Sequence, residues 1–382
     1  MRVLMLSKAC VVGAYQRKLE EMVRQAPDLT LCVLVPPSWR DPARGELRLE
    51  RAHVRGYELR VTPIRCNGNF HLHHYPRLGR ELRDFQPDLV HIDEEPYNLA
   101  TWQALWHARR VGARTVFFTW QNIARRYPPP FSWCERWVLR HADCAIAGTQ
   151  GAAEVWRAKG YRGPLVVIPQ FGVDPDVFAP SPAPRPTDEF VIGFAGRLVE
   201  EKGGAWLLES LTGLDGHWRL IIAGEGPQRP ALIAQAERLG IAARVTFETR
   251  ASTEMPAFYQ QLDALAVPSL TRPNWKEQFG RVIVEAMACG VPVVGSSSGA
   301  IPDVIGEDGL IVPEGDVAAL TAALRRLMTA PDLRQELGQR GRERVLRRYT
   351  QAQVAAQTVT VYRRVLGQIA EVGESKRNRL NI

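Results

Sequence analysis

Fifteen residues, KEQFGRVIVEAMACG from Lys276 to Gly290, place two carboxylates where a helix begins. Glu277 stands just ahead of an apolar run, Phe279 and Gly280 follow, and Glu285 lies eight residues further on. The run VIVEAMAC has helical length and spacing, and Gly290 is a natural stop. Glu277 therefore sits at a helix N-terminus, where free N–H groups and the macrodipole favour an anion. Glu285 lies a little over two turns in, between Val284 and Ala286, and a carboxylate there needs hydrogen-bond partners. Two carboxylates and a set of N–H donors at one helix mouth suit a ligand carrying both phosphates and hydroxyls. The plainer alternative is an N-terminal acid followed by an Arg281–Glu285 pair at i,i+4 on a solvated face.

Two further stretches carry groups of the same kind. A strand over 190–195 leads into GRLVEEKGG, residues 196–204, where glycines let backbone approach phosphate oxygens and Arg197 and Lys202 supply fixed positive charge. This is neither G-x-x-x-x-G-K-[ST] nor G-x-G-x-x-G, which disfavours a P-loop NTPase and an NAD-dependent oxidoreductase alike. A strand over 219–223 ends in GEGP, residues 224–227, where Gly224 and Gly226 flank Glu225 and leave room for a nucleotide or for a plain turn.

The elements that must position these groups alternate along the chain. Apolar runs at 2–6, 31–35, 89–92, 115–119, 144–147 and 165–168 read as strands, with helices at 15–25, 78–85, 101–110 and 133–140. Then comes PSPAPRPT, residues 180–187, four prolines in eight, which is linker composition. The alternation restarts with strands at 190–195, 219–223, 244–247, 264–267, 291–295 and 310–312. Helices are expected at 205–211, 230–239, 254–261, 282–289 and 317–329. Nearly continuous apolar strands between helices indicate parallel sheets covered on both faces. The expected fold is α/β, two tandem doubly wound Rossmann-like domains: 1–180, a linker at 181–188, 189–350, and a last helical segment at 351–382 that packs back on the first domain and ends in a frayed tail. A ligand belongs at the cleft between the carboxyl ends of the two sheets.

Taken in order, GRLVEEKGG, GEGP, VPS at 267–269, Glu277-x7-Glu285 and EAMACGVPVVGSSSGAIPDVI resemble the retaining glycosyltransferases of family 4, whose fold is GT-B. The resemblance is dense over residues 190–315 and looser before them. It implies a transferase that moves a hexosyl unit from a UDP- or GDP-sugar to a hydroxyl on a glycan, lipid or small molecule, with no metal and no other cofactor. Arg197 and Lys202 would stabilise the leaving diphosphate, Glu277 would meet the transferred sugar beside the backbone of Phe279 and Gly280, and Glu285 would take the ribose hydroxyls. Gly196, Gly224, Glu225, Gly226 and Arg250 would complete the donor site, although Thr249 stands where the family's usual glycine does. On the acceptor side the family's paired glycines become Gly13-Ala14, and Gln121 of TWQN stands where a histidine is common. Glutamine binds a hydroxyl but does not shuttle a proton at neutral pH. Asp93, Glu94 and Glu95 end the preceding strand and face either the acceptor or solvent. An epimerase of the same architecture, or a non-catalytic nucleotide-sugar-binding protein, are the alternatives.

Composition excludes other classes. The 382 residues carry a net charge of +8, and residues 1–180 hold 25 Lys and Arg against 18 Asp and Glu, or +7 of it. No nucleic-acid module accompanies that excess, so nucleic acid is not expected as a partner. In RRYPPPFSWCERWVLR at 125–140 arginines mix with Trp133 and Trp137; the reading preferred buries Trp133, Trp137 and Val138 in a core helix, and contact with an anionic membrane surface is the alternative. Six scattered cysteines without zinc-ligand spacing suit a reducing cytosol. His71, His73 and His74 lack further ligands for a metal, and Asp174-Pro175-Asp176 reads as a structural hinge rather than a metal-binding D-x-D. The expected location is cytoplasmic, with a membrane-peripheral position as the alternative.

Overall fold

Strand order places the crevice of each domain. The computed structural model describes residues 1–42, 45–182 and 189–369. Its first sheet contains β1 (Arg2–Leu6) and β2 (Thr30–Val35), and a small antiparallel hairpin, β3 (Ser38–Asp41) and β4 (Gly45–Arg48), follows beside it. The sheet continues with β5 (Glu58–Val61), β6 (Leu89–Ile92), β7 (Arg114–Thr119), β8 (Cys144–Ala147) and β9 (Leu165–Val167). The order is β5-β2-β1-β6-β7-β8-β9, all parallel. The second sheet contains β10 (Phe190–Ala195), β11 (Trp218–Ala223), β12 (Val245–Glu248), β13 (Ala264–Val267), β14 (Val293–Ser296) and β15 (Leu310–Val312). It runs β12-β11-β10-β13-β14-β15, again parallel. The order reverses between β1 and β6 and between β10 and β13, so each sheet opens a crevice at those carboxyl ends.

Helices cover both faces: α1 (Arg17–Gln25), α2 (Leu78–Phe85), α3 (Leu99–Arg110), α4 (Phe131–His141) and α5 (Gln150–Ala158) in the first domain. The second has α6 (Gly204–Leu211), α7 (Arg229–Arg238), α8 (Met255–Tyr259), α9 (Arg281–Ala288), α10 (Ile301–Ile305), α11 (Val317–Thr329) and α12 (Pro331–Arg348). The apolar strands are buried on both sides, which is why they carry no alternation. Finally α13 (Gln351–Val365) lies along α1. It buries Val354, Ala355, Val359 and Tyr362, and the Tyr362 hydroxyl meets His91 Nδ1 at 2.5 Å. Each of its larger apolar side chains contributes about 1.5–3 kcal/mol.

The chain passes between the domains twice, side by side. The Val173 N–H donates to the Tyr349 carbonyl at 2.8 Å and the Gln351 N–H to the Val173 carbonyl at 3.0 Å. A Cβ at Gly172 would stand 2.4 Å from the Gln351 nitrogen, so the two strands of chain approach this closely only with glycine there. Asp174 and Asp176 belong to this crossing: Asp174 accepts from the Asp176 N–H at 3.0 Å and pairs with Arg17 at 3.6 Å. Residues 183–188 of the expected linker, and the tail from 370, lie outside the described residues.

The hairpin β3–β4, the one-turn α10, and α5, α12 and β5 escaped the sequence reading. The 18-residue α12 is half charged and has Gly338 and Gly341 inside it, which leaves little apolar periodicity to read. Those glycines let α12 close on α9: a Cβ at Gly338 would stand 2.2 Å from the Gly290 carbonyl oxygen. α5 starts with small residues and is fixed by its cap, the Thr149 hydroxyl accepting from the Ala152 N–H at 3.3 Å. β5 is a four-residue edge strand with only Leu59 buried.

Candidate functional site

The loop after β13 carries Glu277 to the start of α9, and three neighbours hold it. Lys202 Nζ approaches Glu277 Oε2 at 2.6 Å, and the Ser269 hydroxyl donates to the same oxygen at 2.9 Å. The Ala300 N–H donates to the Glu277 carbonyl at 3.1 Å. A Cβ at Gly299, where φ is +54°, would stand 2.2 Å from that carbonyl oxygen, so the SSSGA turn fits against Glu277 only as glycine. Glu277 and Lys202, far apart in sequence, therefore meet. α9 begins after Gly280 at φ +74° with no side-chain cap; the Ile283 N–H donates to the Gly280 carbonyl at 2.8 Å, which leaves those of Arg281 and Val282 for a ligand or water.

Glu285 is 6% exposed. The Tyr259 hydroxyl donates to it at 2.8 Å and Arg281 pairs with it at 2.7 Å. The i,i+4 pair read as an alternative from the sequence thus exists, but on a buried carboxylate rather than a solvated face. Burial raises its pKa, and the Arg281 charge and the Tyr259 hydrogen bond lower it by less. Arg281 reaches across to the first domain, its guanidinium 3.4 Å from the Tyr15 hydroxyl and 5.5 Å from that ring.

Arg197 is exposed at the mouth of the second sheet. Gly196 has φ +145° with open space where a Cβ would stand. The GEGP glycines have a different reason. A Cβ on Gly224 would meet the Gly196 carbonyl oxygen at 1.9 Å, and one on Gly226 the Leu198 oxygen at 2.3 Å. The two loops are laced together, Leu198 N–H to the Glu225 carbonyl at 2.8 Å and Gln228 N–H to the Leu198 carbonyl at 3.0 Å. These glycines therefore serve loop against loop, which fixes the backbone carrying Arg197. At the far end Arg250 pairs with Glu248, and the Thr249 hydroxyl donates to Glu225 at 2.9 Å.

The first domain corrects the acceptor-side expectations. Asp93 and Glu94 are turned inward, 3% and 2% exposed. Asp93 accepts from the Ser7 hydroxyl at 2.5 Å and Gln170 at 2.8 Å, and Glu94 pairs with Lys8 and lies 3.4 Å from His73. The Lys8 charge beside it helps hold the Glu94 carboxyl at about 2 despite burial. Their partners explain the choice: Ser7, Gln170 and Lys8 take Asp93 and Glu94 into the domain's polar interior, and Glu95 is left to line the cleft. Gly13 is buried, its N–H donating to Glu50 at 2.6 Å, while Ala14 is exposed. Trp133 is 60% exposed whereas Val138 is buried, so the core-helix reading holds for only part of α4. The three histidines diverge: His73 is buried beside Glu94, His71 meets the Phe131 ring at 5.0 Å, and His74 bonds the Leu72 carbonyl.

Residues that the sequence reading missed join the two domains. Asn122 donates to the Glu277 carbonyl at 3.0 Å, Arg125 to the Asn274 carbonyl at 2.8 Å and Gln278 to the Trp120 carbonyl at 3.3 Å. The Trp120 and Phe279 rings stand 5.7 Å apart. These side chains mostly reach backbone carbonyls, which no sequence pattern marks.

The family described as "Glycosyl transferases group 1" matches residues 179–344, and "Glycosyl transferase 4-like domain" matches residues 13–170. A GDP-mannose-dependent alpha-(1-6)-phosphatidylinositol monomannoside mannosyltransferase of Mycolicibacterium smegmatis is 36% identical over 260 residues, 62% of this chain and 66% of that protein. The D-inositol 3-phosphate glycosyltransferase of Mycobacterium tuberculosis is 34% identical over 218 residues, 53% of this chain and 44% of that one. The matched stretch thus spans less than two thirds of these relatives' length. The structure of HepE from Anabaena in complex with UDP superposes with a TM-score of 0.75 at 19% identity, covering 95% of this chain and 99% of that one. Sucrose-phosphate synthase from Thermosynechococcus elongatus gives 0.70 at 21%, covering 97% and 100%. At these identities the likeness shows a shared two-domain fold.

Proposed function

We propose, from the premise that this chain belongs to the group 1 glycosyltransferases of GT-B fold, that it moves a hexosyl unit from a UDP- or GDP-sugar to a hydroxyl acceptor, with retention and without a metal. The observation that carries this reading is the meeting of Lys202 and Glu277 at 2.6 Å ahead of the uncapped N-terminus of α9. When the glycosidic bond breaks, negative charge grows on the diphosphate. A lysine already in place, helix N–H groups and the exposed Arg197 stabilise that charge without a metal ion. Glu277 is left to accept a hydroxyl of the transferred sugar, and Glu285 those of the ribose. The acceptor's proton passes to the departing phosphate oxygen, because Gln121 is no base. The contacts of Asn122 and Gln278 hold the domains closed over this chemistry and exclude water.

A thermal-shift screen against UDP, GDP, ADP and their glucose and mannose derivatives tests the donor reading. At a hundredfold excess over Kd a ligand adds about 2.7 kcal/mol. One uridine or guanosine pair is expected to raise Tm by several degrees, and no shift with any of them would overturn the reading.

The location we propose is cytoplasmic, at an anionic membrane surface. Among the described residues no helix is long and apolar enough to cross a membrane. Trp133, Arg136 and Arg140 lie exposed on one face of α4, and Phe70 and Leu72, 42% and 43% exposed, stand either side of His71, whose ring meets Phe131 of α4 at 5.0 Å. A surface of this composition binds anionic headgroups at about 1 kcal/mol per basic residue. Trp133→Ala with Arg136→Glu should lower co-sedimentation with phosphatidylglycerol vesicles about tenfold. Binding that is unchanged, or equal on phosphatidylcholine vesicles, would remove the membrane from this picture.

A further inference from the structure

A chamber of about 180 Å³ opens between the domains next to Glu277. Residues 274–276 and Gln278 of the second domain form one wall, and Glu95, Tyr97, Gln121, Asn122 and Tyr127 form much of the other. Its side chains are arranged for hydroxyl groups. Glu95 takes one hydrogen bond on each carboxylate oxygen, from the Thr119 hydroxyl at 2.6 Å and the Trp120 N–H at 2.7 Å. Those two donors fix the carboxylate, and each oxygen keeps a further lone pair. Gln121 is oriented as well: Lys159 donates to its carbonyl oxygen at 3.2 Å, so its amide N–H groups face the Tyr127 hydroxyl at 3.2 Å. The chamber thus offers a fixed acceptor and a fixed donor, which is what one hydroxyl of a polyol uses.

Size and charge narrow the occupant. An apolar cavity of about 150 Å³ holds benzene, so this chamber admits one substituted six-membered ring. The lining carries one carboxylate, Glu95, and two cations, Arg125 and Lys276, a mixed set that suits a polyol and admits a charged substituent on it. An apolar ring would leave the remaining lone pairs of Glu95 and the second amide N–H of Gln121 unused.

Resting on the glycosyltransferase reading, we propose that this chamber is a subsite for one polyhydroxylated six-membered ring and that Glu95 is the residue that fixes its hydroxyl. The ring belongs either to the acceptor or to the donor's sugar; the recognition chemistry is the same. Glu95 was one of three consecutive acids in the sequence, and only the fold separates it from Asp93 and Glu94. Burial pushes its carboxyl up to about 7. The other charged or titratable groups around it are Lys8 and Glu94 behind it, Tyr97, Tyr127 and Arg125 beside it, and Lys276 opposite. A carboxylate accepts a hydroxyl better than a neutral carboxyl does, so ring binding gains as pH rises through that range.

Calorimetry on the full chain decides this with named probes. Methyl α-D-glucopyranoside, methyl α-D-mannopyranoside and myo-inositol are titrated with and without UDP or GDP, and UDP-glucose and GDP-mannose are compared with their nucleotides. If the ring is the acceptor's, a free ring binds wild type and Glu95→Gln weakens it about tenfold, with nucleotide affinity unchanged. If it is the donor's, the nucleotide sugar loses that factor and the bare nucleotide does not. Tyr127→Phe, which leaves the supports of Glu95 intact, gives a smaller loss in the same arm. Between pH 6 and 8 the wild-type affinity rises and that of Glu95→Gln stays flat, a difference that a purely structural role would not produce. The inference is overturned if wild type gains nothing from any ring or sugar, or if Glu95→Gln matches wild type in both arms. Failure of wild type to bind any nucleotide would instead sink the donor reading, and the free rings would still decide the chamber.

Discussion

Lys202→Ala is expected to lower nucleotide-sugar turnover about 10²–10³-fold while the protein stays folded. The ammonium group has two roles in the structure. It holds Glu277 at 2.6 Å, and it stands at the mouth where a diphosphate would lie, 5.0 Å from the Trp275 ring. Removing it costs the cation that answers developing charge, a loss concentrated in the transition state, so kcat falls more than KM rises. It also leaves Glu277 with the Ser269 hydroxyl at 2.9 Å and Asn122 on its carbonyl, enough to keep the loop in place. The side chain of Lys202 is 25% exposed, so the stability cost stays well below that of breaking a fully buried pair. Steady-state turnover of UDP-glucose or GDP-mannose, with circular dichroism on the same samples, checks both halves. A variant that turns over like wild type would remove Lys202 from the chemistry.

Much of this was legible in the sequence because the second domain speaks in backbone-demanding residues. A basic loop after β10, a capless helix mouth behind Gly280 and a glycine against Glu277 are each required by close approach, and each leaves a glycine or a charge at a fixed spacing. The strands were legible for a related reason: parallel sheets buried on both faces write themselves as unbroken apolar runs. What was not legible follows from the opposite situation. Asn122 and Gln278 join the domains through carbonyl groups that every residue possesses, and no spacing rule links residue 122 to residue 277. Three consecutive acids at 93–95 carry no mark of which one turns outward; Ser7, Lys8 and Thr119 decide that, and they come from the ends of two other strands, β1 and β7. The GEGP glycines show a further limit. Their presence was readable, but their reason is the neighbouring loop.

Glu285→Gln is the second large effect, and its two halves have opposite signs. Nucleotide affinity should fall about tenfold to a hundredfold, the loss expected when a charged acceptor of hydroxyl hydrogen bonds becomes neutral. Stability should not fall with it. Burial is the largest influence on the Glu285 carboxyl and raises its pKa above the ordinary value, so the folded state holds that proton more tightly than the unfolded chain does. For a raised carboxyl, protonation favours the fold. The ionised form at neutral pH therefore costs stability, and that cost is relieved as pH falls toward the ordinary carboxylate range. Glutamine imitates the protonated state: its carbonyl still accepts from the Tyr259 hydroxyl, and Arg281, with its side chain 47% exposed, turns to water and to Tyr15. A melting temperature equal to or above that of wild type at pH 7, with the gap closing at lower pH, together with weakened UDP or GDP binding, is the expected pattern. It would mean that a buried, incompletely compensated carboxylate is kept for the ligand and not for the fold. If the variant melts lower and binds nucleotide as wild type does, the Arg281–Glu285 pair is structural, and the ribose must be held by other groups.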